Sequence, residues 1–155
     1  MRILGIDPGF GRMGWGVLEA DGSDWRYIAH GCVETDAKKT FIERVQELHT
    51  ELSAIIAQYE PTRAAVEDLF FAKNAKTAMK VGQARGVILL TLTQARLPID
   101  EYGPSQIKQA VTGHGNADKG QVQTMLQMRL SLKEFPKQDD AADALAVALT
   151  AGLHM

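Results

Sequence analysis

Residues 1–16 read MRILGIDPGFGRMGWG, and the fold is decided there. An apolar run of Ile3, Leu4 and Ile6 ends in Asp7, and Pro8-Gly9 turns the chain at once. A second β-like run, Met13 to Ala20, follows with glycines at 14 and 16. The pattern predicts a buried strand with a carboxylate at its C-terminal tip, a tight turn and a hairpin partner. A carboxylate so placed is held rigidly and faces a crevice rather than the core. It suits a metal ligand, a general base or a binding group. Asp-Pro-Gly is also good turn chemistry in any protein, so turn residue and functional carboxylate stand as alternatives here.

Outward from that hairpin, a third strand is expected at 25–34, joined to the second through Asp21-Gly22-Ser23-Asp24 as an antiparallel meander. Residues 40–58 carry Phe41, Val45, Leu48, Leu52, Ile55 and Ile56 at helical spacing, and Pro61 follows. The stretch 63–67, RAAVE, repeats the design of the first strand, with Glu67 at its exit and Asp68 beside it. A loop over 69–74 leads to a long helix from about 75 to 95, a last strand at 97–102, and a short helix opened by Pro104. After the glycine-rich loop 113–117, helices at about 119–131 and 139–152 are separated by Phe135-Pro136. A meander followed by alternating helices and strands predicts an α/β fold, a mixed sheet with helices on both faces. Residues 1–155 show no repeat, low-complexity tract or linker, so one domain is expected.

Composition narrows the class. Hydrophobic residues make up 45% and charged ones 23%, as in an ordinary soluble domain. No apolar run is long enough to span a bilayer, and no signal-peptide pattern opens the chain. The single Cys32 is expected to pack, and a cytoplasmic location follows. A net charge of −2 argues against a generic nucleic-acid binder, yet the charge is segregated. Residues 1–68 hold 12 acids against 7 bases, 69–133 hold 3 against 9, and 134–155 hold 4 against 1. Such partition can set a basic surface beside an acidic cleft, suited to a phosphate backbone next to metal-binding carboxylates; uneven surface sprinkling is the plain alternative.

The final helix opens with Asp139-Asp140 and continues Ala141-Ala142-Asp143. Asp143 is three residues from Asp140 and four from Asp139, so either pair shares a helix face. Asp139 suits a cap or a macrodipole partner. The alanines would let this helix pack close to a sheet and aim carboxylates at the strand exits. Asp7, Glu67, Asp140 and Asp143 thus form a candidate four-carboxylate set from three separated elements. Clustered carboxylates call for a neutralising cation, and all-oxygen ligands select Mg²⁺ or Mn²⁺. Two such ions would suit phosphodiester hydrolysis.

ILGIDPG, VEDLFFAKN, GQARGV, the Gly-x-Gly-x-Ala-x-Lys-x-Gln-Val pattern at 113–122 and DDAADALAVA together resemble the RuvC family of crossover-junction endodeoxyribonucleases. The match runs in order over essentially the whole chain. The resemblance implies a ribonuclease H-like fold with a five-stranded sheet, and resolution of Holliday junctions in recombination and repair by paired symmetric nicks. It also implies that Asp7, Glu67, Asp140 and Asp143 bind two Mg²⁺ or Mn²⁺ ions per subunit, favouring Asp140 over Asp139. Lys108 and Lys119 match basic positions along the DNA. Lys73, Lys76 and Lys80 are further DNA-binding candidates. His114 is a candidate for proton transfer or DNA contact. Of the adjacent aromatics, Phe70 is assigned to bases near the crossover and Phe71 to packing. Expected partners are a four-way DNA junction, a second copy of the chain and a branch-migration complex. Ala78, Gly82 and Gly86 would make one helix face smooth, for packing on the chain's own sheet or on a second subunit.

Two other classes share parts of this pattern. Actin-like kinases and ATPases also open with a Gly-Ile-Asp-x-Gly hairpin, but that architecture is doubled and needs about twice a single-domain length. A ribonuclease H-like protein that only binds branched nucleic acid, or processes RNA, fits the four carboxylates and the tail motif less well.

Overall fold

The computed structural model describes residues 1–68 and 75–155. Its elements follow in the order β1 (Arg2–Asp7), β2 (Arg12–Asp21), β3 (Asp24–Glu34), α1 (Phe41–Tyr59), β4 (Arg63–Glu67), α2 (Ala75–Gln94), β5 (Ile99–Tyr102), α3 (Pro104–Thr112), α4 (Lys119–Arg129) and α5 (Asp139–Leu153). The sheet order is β3-β2-β1-β4-β5. The first three strands form the expected antiparallel meander, while β4 joins β1 and β5 joins β4 in parallel. A two-residue turn, Gly22-Ser23, links β2 to β3, with Gly22 at φ +63°. Fold class and element order agree with the sequence reading. The expected strand at 97–102 starts two residues later, at Ile99.

Local chemistry sets the helix ends. Thr40 caps α1 in a capping box with Glu43, and Asp118 caps α4 in one with Gln121. Pro104 occupies the first turn of α3, which ends at Gly113 with φ +84°. Of the two roles expected for Asp139, macrodipole partner or cap, its place as the first residue of α5 suits the former, with Gln138 at the cap position.

The sheet separates two cores. On one face Leu4, Ile6, Met13, Val17 and Val66 pack against α1 and α2 through Leu48, Leu52, Ala84 and Ile88. On the other, Ile3, Leu18 and Ala65 pack against α3, α4 and α5. Alternation along β1 assigns Ile3 to one core and Leu4 to the other. Helix α5 lies along this second face, buried at every residue from Ala144 to Ala151. Its alanines allow the approach, and the strands have glycines to match. A Cβ on Gly5 would lie 2.1 Å from the Ala144 carbonyl oxygen, and one on Gly14 would lie 1.9 Å from that of Asp140. Contact between backbones, with no side chain between, fixes where α5 begins. Among the described residues no helix is long and apolar enough to cross a membrane.

Candidate active site

Parallel pairing of β1 with β4 puts their C-terminal residues side by side. Ile6 pairs with Val66, so Asp7 and Glu67 leave the sheet together at its carboxyl edge. Open α/β sheets bind ligands in the crevice beyond that edge. Asp7 also stands opposite Gly14, the residue on which the backbone of Asp140 rests. The start of α5 is therefore fixed beside Asp7, and Asp140 and Asp143 meet the two strand-end acids there. The four candidates drawn from three elements form one cluster.

Electrostatics register the convergence. Burial, followed by the charges of Glu67, Asp143 and Asp140, raises the Asp7 pKa from 3.8 to about 8. A side-chain hydrogen bond between the two strand-end acids adds to the rise of Asp7 and works against that of Glu67. Glu67 is itself raised, by burial and then by Asp143, while Asp7 and Lys108 pull it down. Burial likewise raises Asp143, with Lys119 opposing. These are acids held at close quarters without enough positive charge. Among the described residues no three or more His, Cys, Asp or Glu side chains are grouped closely enough, as they stand, to hold a metal ion. Carboxylates gathered at one edge are the donor type of a hard divalent cation, whose charge would offset their mutual repulsion.

Beside the carboxylates lies a cavity of about 280 Å³, lined by Glu67, Asp143, Lys108, Lys119, Gln123 and an apolar floor including Ile107 and Val122. Lys108 on α3 and Lys119 at the start of α4 are thus brought to one cavity with Glu67 and Asp143. Lys119 Nζ donates to Asp139 Oδ2 at 2.7 Å, which gives Asp139 a role as the lysine's holder. Asp68 lies outside the cluster, 3.4 Å from Arg85 Nη2.

The remaining candidates fall elsewhere. His114 lines a different cavity with Thr112, Asp118 and Gln121; its backbone N–H donates to the Thr112 hydroxyl at 3.1 Å. Lys76 and Lys80 lie exposed on α2, across the sheet from Lys108 and Lys119. Phe70, Phe71 and Lys73 lie outside the described residues. Cys32 is half-buried, and burial pushes its thiol up to about 11, in keeping with packing. Sequence reasoning missed Arg12, whose Nη1 lies 3.8 Å from Asp140 Oδ2. Its position five residues after Asp7, across the turn, is the signal that could have found it.

A mixed five-stranded sheet with helices on both faces and acids gathered at the exits of its first and fourth strands defines the ribonuclease H-like class of resolvase folds. The chain matches the family model described as crossover junction endodeoxyribonuclease RuvC over residues 3–151. It is 54% identical over 149 residues to the protein of that name from Heliobacterium modesticaldum, covering 96% of this chain and 92% of the relative. It is 49% identical over 148 residues to that of Thermosipho melanesiensis, covering 96% and 94%. Among solved structures, RuvC of T. thermophilus in complex with a Holliday junction substrate superposes with a TM-score of 0.93 at 37% identity, over 99% of this chain and 94% of the other. The chain belongs to the RuvC family of crossover junction endodeoxyribonucleases.

Proposed function

We propose that this chain is a metal-dependent, structure-specific endonuclease that resolves four-way DNA junctions. The observation that carries the reading is the meeting of Asp7, Glu67, Asp140 and Asp143 at one sheet edge, beside a cavity lined by Lys108 and Lys119. Those carboxylates would hold Mg²⁺ or Mn²⁺, two ions per subunit. When bound, such ions supply Lewis-acid charge that favours attack by water and eases departure of the 3′ oxygen. The protein's own part is positional. Contact between the backbones of α5 and β2 sets the spacing of the acids, and the two lysines orient a phosphate against them. In-line hydrolysis then leaves 5′-phosphate and 3′-hydroxyl ends.

Paired nicks need paired sites, and the reading includes a two-fold dimer. Its support is the smooth face of α2. A Cβ on Gly82 or Gly86 would meet nothing within 4 Å, and Met79 and Leu90 on the same helix are 68% and 56% exposed. The side of α2 that meets the sheet is Ala84, Ile88 and Leu92, so the glycines serve another contact. A two-fold axis would place one active site on each of two opposed strands. Residues 1–155 act in this reading as one nuclease domain in the cytoplasm, with a branch-migration complex as the expected partner.

The test is a synthetic four-way junction titrated with Mg²⁺ or Mn²⁺. Symmetric nicks in opposed strands are expected, with Asp7→Asn binding the junction but failing to cut. Equal cutting of linear duplex, or cutting that survives EDTA, refutes the proposal.

A further inference from the structure

Residues Phe10 to Arg12, directly beyond the Asp7 turn, are surrounded by cations from three elements. The Arg44 guanidinium of α1 lies 4.8 Å from the centre of the Phe10 ring, and Lys80 Nζ of α2 lies 5.7 Å from it. Arg12 opens β2, within 3.6 Å of Glu34 and 3.8 Å of Asp140. We propose that Arg12, Arg44 and Lys80 form a second phosphate-binding station for junction DNA, on the opposite flank of the carboxylates from Lys108 and Lys119. The assignment rests on the nuclease reading and adds residues to it.

The station is built, not a chance meeting of flexible side chains. The Thr35 hydroxyl donates to the Phe10 carbonyl at 2.7 Å, and the Thr35 N–H donates to the Gly11 carbonyl at 3.0 Å. Arg44 Nε donates to the same hydroxyl at 2.8 Å, so the loop and the guanidinium are fixed through one residue. The Phe10 ring rests edge-on against Phe41, 6.0 Å between centres. A Cβ on Gly11 would lie 3.3 Å from Arg44 Nη2, tighter than ordinary contact. A guanidinium ordered before the ligand arrives, as Arg44 is, loses little entropy on binding.

Charge and position point to a phosphate backbone. Several arginines of the chain are paired with acids: Arg2 and Arg26 with Glu19, Arg63 with Asp100, Arg85 with Glu101, and Arg12 itself, more loosely, with Glu34 and Asp140. Among the described residues Arg44 and Lys80 make no such pair, and Lys80 is exposed. Helices α1 and α2 cover one sheet face, whereas α3 and α4, bearing Lys108 and Lys119, cover the other. The acidic edge therefore has cations on both sides. Asp7 and Phe10 are three residues apart, at most about 10 Å of chain, so DNA at the carboxylates comes within reach of both flanks. A cationic rim attracts the polyanion that the acids alone would repel. With cations already over Phe10, the contact is to phosphate, independent of sequence.

The experiment is equilibrium binding of a four-way junction in EDTA, followed over a range of salt. Each phosphate contact removed lowers the steepness of log K against log salt by about 0.9. Lys80→Ala and Arg12→Gln are each expected to lower it by about that much. The triple variant with Arg44→Gln should lose about 2.7, with affinity falling alike for every junction sequence. Arg26→Gln, at the other end of the β2–β3 hairpin, should leave the slope unchanged. If Arg44→Gln disturbs the loop, Lys80→Ala and Arg12→Gln decide alone; wild-type slopes in both overturn the assignment. Wild-type protein that cuts junctions while the variants keep its slope sinks the station only. Wild-type protein that neither prefers nor cuts junctions sinks the nuclease reading and this one together.

Discussion

Substituting Gly14 by Ala tests whether backbone contact, rather than side-chain packing, places the helical acids. An ideal Cβ there would stand 1.9 Å from the Asp140 oxygen, 2.3 Å from its carbonyl carbon and 3.0 Å from the Ala141 nitrogen. Ordinary contact begins near 3.4 Å, so the first turn of α5 must retreat by about 1.5 Å. No flexible side chain can absorb this, because all three atoms are backbone. Overpacking of this kind costs about 1–3 kcal/mol. Function should suffer more, since metal–ligand distances tolerate only about 0.2 Å and a 1 Å misplacement can cost about 100-fold in rate. The assay is single-turnover cleavage of a four-way junction, read beside thermal melting and binding in EDTA. Cutting should fall by about 100-fold or more while junction binding persists, because Lys108 and Lys119 belong to α3 and α4. Wild-type turnover in a folded Gly14→Ala protein would refute the placement.

Further outcomes follow from the same geometry. Asp7 holds a proton more tightly folded, with a pKa of about 8, than unfolded at 3.8. Its stabilisation is therefore complete below about pH 4 and lost as pH rises through 8, by several kcal/mol at about 1.4 kcal/mol per unit. In EDTA the wild type should melt progressively lower from pH 6 to 9, whereas Asp7→Asn should show a flatter profile and the higher midpoint at pH 8.5; matching profiles would count against the buried cluster. Mg²⁺ at pH 8 should raise the wild-type midpoint well above its effect on Asp7→Asn, as thermal melts would report. Gly82→Leu has room in the monomer and should keep the helical circular dichroism while weakening self-association in sedimentation; an unchanged dimer would remove α2 from the interface. Phe70→Ala should weaken cutting more than it lowers the melting temperature, and a large thermal loss would favour a core role.

Each strand-end acid was legible because an apolar run followed by a turn residue announces the end of a strand. Asp7 before Pro8-Gly9 and Glu67 after Ala64-Ala65-Val66 both read that way. Their adjacency was not legible from spacing, since it depends on β4 inserting beside β1 rather than beside β3. The glycines were visible as anomalies inside strands, but the reason for Gly14 lies 126 residues further on, in the backbone of Asp140. Gly82 and Gly86 left two readings open, and their free space turns them away from the chain's own sheet. Arg12 and Arg44 were hidden by summing charge over segments. Both belong to the acid-rich first 68 residues, and only folding brings Lys80 of the basic segment against the same Phe10 ring.

The composition of α5 now has a physical reason. A helix of leucines would bury more apolar area, at about 25 cal/mol per Å², but would stand further from the sheet. Alanines at 141, 144 and 148 against Gly5 and Gly14 give up part of that area for a shorter separation. Leu145 and Leu149, both buried, retain the apolar packing further along the helix. The short separation lets Asp140 and Asp143 share one space with Asp7 and Glu67. It also makes the spacing stiff, because closely packed backbones have no rotamer through which to relax. Repulsion among the acids is thus held in the fold rather than relieved by movement, as the raised Asp7 and Glu67 show. On the proposed reading, the same stiffness that holds the acids together would keep them in register for a cation and a phosphate.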